Sequence, residues 1–370
     1  SKVFNLTPLK HWDLARWVWI QAFKLSPINF RRIMFVPKEH NAKGVALFLL
    51  GYCKLYNLAA NGFEDFGTKN EILIKINELT QLLLKLRSIG YSGSCWGYNF
   101  DWQARRLFLF QKNTPTVVAT CFAVEALLES YEITKDEYVL KETLSASDFV
   151  INDLSRTASK GGFLFSYSVK DGNNTVINAS LLGAKILSFS YKYTKNKSHL
   201  EIAKQAVMAA CQLQEKDGSW IYGLLKIQSW KDSFHTGFNL DAIQTYQKNT
   251  NDYSFQKFID RGLVYYLNNF FKNNGTPKYY NNKTYPIDIH CPGQLIVTLS
   301  KLNKFKENKI LLNKVLNWTI AKMQHKNGYF FYQLKKILSS KTPYMRWSNA
   351  FMFNAMAHFI LYTKKFNCEI

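Results

Sequence analysis

The sequence predicts an all-α protein in which about six helical hairpins close into a ring, and three observations lead there. Ten segments carry apolar residues at the i, i+3, i+4 spacing of a helix with a buried face. Very little alternates apolar and polar as a strand would. Glycine-centred turns followed by an aromatic recur at KGGFLFSY, KDGSWIY, NNGTPKYY and KNGYFFY, so that Gly162, Gly218, Gly275 and Gly328 lie 56, 57 and 53 residues apart. GSCWGYNF (93–100) is an earlier, less regular member. Such a period holds two helices of about 15 to 20 residues with their connections, which is one hairpin.

In chain order the helical runs are ALFLLGYCKLYNL (46–58), ILIKINELTQLLLKL (72–86), TVVATCFAVEALLESYE (116–132), LLGAKILSFSYKY (181–193) and AKQAVMAACQLQ (203–214). There follow FNLDAIQTYQ (238–247), FIDRGLVYYLNNFF (258–271), GQLIVTLSKL (293–302), LLNKVLNWTIAKMQ (311–324) and NAFMFNAMAHFILYT (349–363). Thr134 and Asp136, Ser145 and Ser198 mark helix starts. Residues 1–40 precede the pattern and are expected to pack on the outside, with 41–370 forming a single ring domain. Each turn reads Lys or Asn, then Asp, Asn or Gly, then Gly: residues that tolerate positive φ and end a helix. The aromatic two to five residues later can fold back as a plug against the next hairpin. Repeated hairpins stack openly or close on themselves. The long, polar, aromatic loops favour closure, with those loops lining one end of a cavity.

With 370 residues, 47% of them hydrophobic, the chain can bury a large core, and disorder is excluded. Its longest uncharged apolar run, GVALFLLGYC (44–53), is about half of what spans a bilayer. No basic-then-apolar leader opens it, so a soluble, cytoplasmic protein is expected; the first residue is Ser1, not Met, as in a chain that begins after a removed segment. Six scattered cysteines without a CxxC pair suit reduced, packed thiols. A charge of +22, from 48 Lys and Arg against 26 Asp and Glu, favours polyanions or reflects a solvated Lys-rich surface. Nucleic acid is not expected as a partner, because no zinc finger, RNP motif or Arg-rich helix occurs. GxxxxGKS, GxGxxG after a strand, GxSxG and HExxH are absent, and no cofactor is expected.

Polar and aromatic groups gather just before apolar helices. In WKDSFHTGFN (230–239), Asp232 can orient His235 as a general acid or base, with Trp220, Tyr222 and Asn239 nearby. The bland alternative is that Asp232 or Ser233 caps the helix and His235 satisfies a buried carbonyl. Tyr285, Asp288 and His290 repeat the acid-then-histidine theme one hairpin later, and the two pairs can converge across the ring's centre. In KTPYMRW (341–347), Arg346 can hold a carboxylate or phosphate between the flat faces of Tyr344 and Trp347, or else pair with a neighbouring acid. Trp96, Tyr98, Asp101, Trp102 and Gln103, with Tyr167 and Asn178, complete a set suited to carbohydrate: rings that stack, and polar groups that pair with hydroxyls.

The phrase QEKDGSW (214–220) looks like the Gln-x-x-Asp-Gly-x-Trp signature of terpene-cyclase toroids. The hairpin pattern over roughly 40–365 resembles α/α toroids, among them squalene cyclases, protein prenyltransferases, polysaccharide lyases and hydrolases, and glucuronyl C5-epimerases. CWGYNFDWQ, NTPTVVAT, FSYS, VINASLLGA, DGSWIYG, DSFHTGFNLDAI, YPIDIHCPGQ and PYMRWSNAFMF look like toroid proteins of bacterial capsule and exopolysaccharide gene clusters. The squalene-cyclase DxDD acid motif is absent. A delta-aminolevulinic acid dehydratase, a β/α barrel, is excluded by the lack of alternating strands.

The resemblance implies an enzyme of surface-polysaccharide assembly acting on an anionic poly- or oligosaccharide, free or lipid-linked, with peripheral association to the assembly complex. Its chemistry would be epimerase- or lyase-type proton transfer by His235 or His290 and Tyr222 with Arg346 on a uronic carboxylate, or glycoside hydrolysis by Asp101 and Asp232. The alternatives are a non-catalytic glycan-binding scaffold, and a zinc-dependent prenyltransferase-like toroid using Asp232, His235, Asp288, His290 and Cys291.

Overall fold

All ten predicted runs lie in helices of the computed structural model, which describes residues 1–26, 28–103, 109–170 and 172–365. Two short helices come first, α1 (Lys2–Asn5) and α2 (Asp13–Leu25). Then come α3 (Ala42–Ala60) with α4 (Lys69–Lys85), and α5 (Val117–Thr134) with α6 (Glu137–Leu144) and the single turn α7 (Ala146–Asp148). The pairs α8 (Ile177–Thr194) and α9 (Lys197–Gln212), α10 (Ser233–Thr250) and α11 (Gln256–Phe270), and α12 (His290–Lys301) and α13 (Lys309–Met323) follow, and α14 (Ala350–Lys365) comes last. Helix α3 packs on α5, α5 on α8, α8 on α10, α10 on α12, α12 on α14, and α14 back on α3, so the inner ring closes. Among the described residues, five hairpins are complete and α14 stands as the sixth inner helix.

Capping fixes where these helices start. Asn41 accepts from the Gly44 amide, Thr68 and Glu71 form a capping box, and Thr116 and Asp136 cap α5 and α6. Asn196, not Ser198, caps α9; Thr134 ends α5, and Ser145 precedes α7 without a capping bond. Among the described residues, strands are limited to three two-stranded ribbons in loops: β1 (Trp102–Gln103) with β2 (Leu109–Phe110), β3 (Arg156–Ser159) with β4 (Gly162–Phe165), and β5 (Ile287–Asp288) with β6 (Gln333–Leu334).

The recurrent turn is a structural clamp. Gln214 Nε2 donates to the carbonyls of Gly218 (3.0 Å) and Phe258 (2.9 Å), tying the turn to α11, and Gln324 bonds Gly328 in the same way (3.0 Å). Asp217 accepts from the Ser219 amide and hydroxyl, so it shapes the turn. Gly218 and Gly328 share φ values of 90° and 89°, but a Cβ on Gly218 would meet the Arg261 carbonyl at 2.4 Å, and one on Gly328 would meet nothing within 4 Å. Both alanine variants should cost about 1–3 kcal/mol of backbone strain. Gly218→Ala should cost about 1–3 kcal/mol more for overpacking. Equal urea midpoints for the two variants would contradict that ranking.

The segment before α3 packs on the ring at one end of it. Arg16 Nε reaches Gln103 (3.1 Å) and Arg31 Nη2 reaches the Tyr344 hydroxyl (2.7 Å), so the segment crosses one end of the ring, over the loops that precede the inner helices. Among the described residues, no helix is long and apolar enough to cross a membrane. Cys53, Cys95, Cys121, Cys211 and Cys291 are free and buried, and Cys368 lies outside the described residues.

Candidate functional site

The residues at the start of the inner helices meet at that end of the ring. Lys43 of α3, Val118 of α5, Asn178 of α8, Phe234 and His235 of α10, and His290 of α12 line a cleft of about 320 Å³, joined by Arg346 and Trp347 just before α14. Tyr98, Tyr167, Tyr222, Tyr279, Tyr280 and Tyr332 form its walls, and Gln21 and Lys24 of α2 lie across it. Volume and lining are those of a small-molecule site. Helix N-termini converging on one cavity also add positive potential there.

The two acid–histidine pairs occupy the same wall. Asp232 Oδ1 accepts from the His235 amide (3.0 Å), and its Oδ2 meets His235 Nδ1 (2.7 Å) and Trp230 Nε1 (2.8 Å). Asp232 therefore both caps α10 and holds the imidazole. Asp288 Oδ1 takes the His290 amide (3.0 Å) and Nδ1 (2.6 Å), while Oδ2 accepts from Gln333 (3.0 Å). A carboxylate only accepts, so each Nδ1 carries the hydrogen and each Nε2 is the nitrogen offered to a ligand. The Phe234 ring lies 4.1 Å from the His235 ring and 5.2 Å from the His290 ring, centroid to centroid. The imidazoles are thus separated by no more than those two distances combined. Burial lowers the His290 pKa, and Asp288 only partly offsets this. Burial would raise Asp288, but the His290 contacts outweigh it and hold the carboxyl below its ordinary range. The resting pair is a carboxylate and a neutral imidazole.

The same cleft is lined by three cations, Lys24, Lys43 and Arg346. The Arg346 guanidinium lies 4.5 Å from the Tyr98 ring and 4.8 Å from Trp347. Lys43 Nζ sits 4.3, 5.4 and 5.0 Å from the rings of Phe122, Phe238 and Phe351, which contact one another, with Phe238 lining the cleft. Burial, then the Arg346 charge, hold the Lys43 pKa well below its ordinary value. Burial also lowers Lys24, against a partial pull from Asp288. Among the described residues, none of these three cations forms an ion pair. The Asn178 Oδ1 is likewise buried without a partner.

The structure brings His235, His290, Asp288, Tyr222, Tyr98, Tyr167, Asn178, Arg346 and Trp347 to the cleft, with Asp232 behind His235. Other expected site residues lie elsewhere. Trp96 and Trp220 are core plugs whose indoles donate to the carbonyls of Leu83 and Ala210. Trp102 stacks on Phe110 at 4.3 Å, and Gln103 holds Arg16. Asp101 is exposed, binds the Lys112 amide and does not line the cleft. Asn239 is buried away from the lining, Tyr285 is exposed beside it, and Tyr344 backs Trp347 while bonded to Arg31. The zinc set is not assembled: among the described residues, no three His, Cys, Asp or Glu are grouped to hold a metal.

Sequence reading missed Lys43, Lys24, Phe234, Tyr279 and Tyr332. A usable signal existed. Tyr222, Tyr279 and Tyr332 each stand four residues after a turn glycine and line the cleft, whereas Trp220 and Phe330, two residues after, do not.

Solved structures match this chain closely in shape. A cellobiose 2-epimerase from Bacillus thermoamylovorans superposes with a TM-score of 0.66 at 12% identity, covering 87% of each chain. A GH76 alpha-mannanase from Bacteroides thetaiotaomicron gives 0.65 at 13%, over 89% of this chain and 88% of that one. The fold is an α/α toroid. An unsaturated glucuronyl hydrolase specific for heparin gives 0.62 at 12% identity, covering 88% and 87%. No family model matches the sequence, and no curated protein matches it. At these identities the toroid itself is what is shared.

Proposed function

We propose that this toroid is a sugar-processing enzyme that moves a proton at the carbon next to the carboxylate of an acidic glycan, by epimerisation or elimination. One observation carries this: two imidazoles, each held through Nδ1 by a buried carboxylate, flank Phe234 in a cleft that also presents Arg346 without an acid partner. One Nε2 takes the proton and the other, or Tyr222, returns one. Arg346 binds the substrate carboxylate, and Lys43 counters the charge that builds on it as the proton leaves. The tyrosine walls stack sugar rings. Neighbours in shape whose names are those of sugar epimerases and glycoside hydrolases support a carbohydrate substrate. The phrases resembling toroids of capsule and exopolysaccharide clusters support a cytoplasmic role in surface-polysaccharide assembly.

The test is incubation with uronic-acid oligosaccharides in D2O. Epimerisation should bring deuterium in at the carbon next to the carboxylate, elimination should cleave the chain and leave an unsaturated, ultraviolet-absorbing sugar end, and Arg346→Lys should raise KM by at least about tenfold, the worth of one charged hydrogen bond. Cleavage to saturated products with no exchange would make the protein a hydrolase. Tight binding with neither exchange nor cleavage would make it a scaffold.

A further inference from the structure

We propose that the N-terminal segment and the adjoining rim dock the mouth of the cleft on an anionic lipid bilayer. Nine of the 24 exposed large apolar side chains among the described residues fall in the first 35 positions. Folded proteins seldom leave such a concentration uncovered. Leu14 and Val18, one turn apart on α2, are 72% and 51% exposed, while Gln21 and Lys24 of the same helix lie against the cleft. Leu6 and Trp12 before α2, and Ile33 and Phe35 after it, are exposed as well. Exposed apolar side chains continue onto the rim: Ile337 is 91% exposed on the turn after β6, whose Lys335 is near enough to Lys24 for their charges to interact, and exposed Met345 adjoins Arg346.

Charge decides what covers this face. Residues 1–38 hold seven Lys and Arg and one acid, Asp13. Lys2, Lys10, Arg32 and Lys38 are exposed among the apolar groups. Apolar side chains with an exposed Trp, interleaved with cations, suit the interface of a bilayer bearing anionic headgroups. A second copy would bring like charges together across a two-fold interface, and a nucleic acid would leave the apolar groups in water. With no spanning helix among the described residues, the association is peripheral. Docking there turns the cleft toward the headgroup layer. Resting on the proposed function, this makes the substrate's class an acidic oligosaccharide carried on a lipid.

The experiment is co-sedimentation of the full chain with phosphatidylcholine vesicles with and without phosphatidylglycerol. Binding should require the anionic lipid and weaken as salt rises. Leu14→Asp with Val18→Asp should lower partitioning by on the order of tenfold or more, the loss expected for withdrawing one or two apolar side chains. These positions are exposed, so the unfolding midpoint should not move; Arg32→Glu with Lys38→Glu gives a second variant that reads the charge alone. Arg346→Met, which removes a proposed substrate contact, should bind vesicles as the parent does, so docking and chemistry fail separately. Vesicle binding unaffected by the Leu14/Val18 change would reduce the effect to adsorption of a +22 protein. Absence of vesicle binding, with that change splitting a dimer, would assign the face to a second copy. Either result overturns the proposal.

Discussion

The His235→Gln and His290→Gln proteins should each lose about 100- to 10,000-fold in turnover, the usual contribution of a positioned acid or base, while still binding the glycan. The geometry makes the two losses separable. If one Nε2 abstracts and the other returns the proton from across Phe234, a single variant should retain some deuterium exchange from one substrate epimer and lose net inversion. If both steps used one histidine, the other variant would behave like the parent, and the paired arrangement would carry no chemistry. The pH profile supplies an independent check. His290 has a pKa below the ordinary histidine value because burial disfavours its charged form. A base with a lowered pKa stays unprotonated to lower pH, so the acid limb of kcat/KM should fall below about pH 6.5, with activity lost as pH drops through that lowered value. Asp288 raises the His290 pKa. Asp288→Asn should therefore move the acid limb lower still. A limb that moved upward would mean that His290 is not the group being titrated.

Helices were legible because a buried face forces periodic spacing, the repeat of Gly218-type turns marked the hairpins, and ring closure was read from the long, polar, aromatic loops between them. The acid–histidine pairs could be read because each falls at the start of an inner helix, where a carboxylate both caps and orients. The aromatic loops misled for a physical reason. Trp96 and Trp220 carry an N–H that a backbone carbonyl satisfies inside the core, so a large aromatic next to a turn says nothing about which side of the loop it faces. Spacing from the turn glycine distinguishes the two faces better than residue type does. Lys43 opens an apolar helix, and sequence cannot show that its ammonium rests on three phenyl rings contributed by α5, α10 and α14. Residues 1–40 gave no helical period strong enough to place α2, and their position over the mouth depends on contacts from Arg16 and Arg31 to loops distant in sequence.

Lys185→Met should be the most destabilising single change in the ring, by about 3–5 kcal/mol, because it breaks a buried charge cluster and leaves an acid unpaired. Beneath the three phenyl rings, Lys185 Nζ lies 2.8 Å from Glu125 and 2.9 Å from Asp241, and Lys301 contacts the same two carboxylates, at 2.9 Å in the case of Asp241. Four successive inner helices, α5, α8, α10 and α12, are thereby joined around a cavity of about 20 Å³, room for roughly one water. Burial alone would raise the Glu125 pKa, but the two ammonium groups outweigh it and hold the carboxyl far below its ordinary range. A depressed folded-state pKa contributes stability above the unfolded value of about 4.3 and loses it as pH falls, so part of the acid sensitivity of the fold should originate here. In Lys185→Met that part shrinks, because Glu125 keeps only Lys301. Adding Glu125→Gln to Lys185→Met leaves one cation and one anion, Lys301 and Asp241, and should recover a good part of the loss. Urea unfolding of the two single variants and the double variant gives the coupling directly. If the double variant lost the sum of the singles, the cluster would be four independent contacts. A positive coupling would mean that it acts as one clasp, on the same α10 and α12 whose first turns carry His235 and His290.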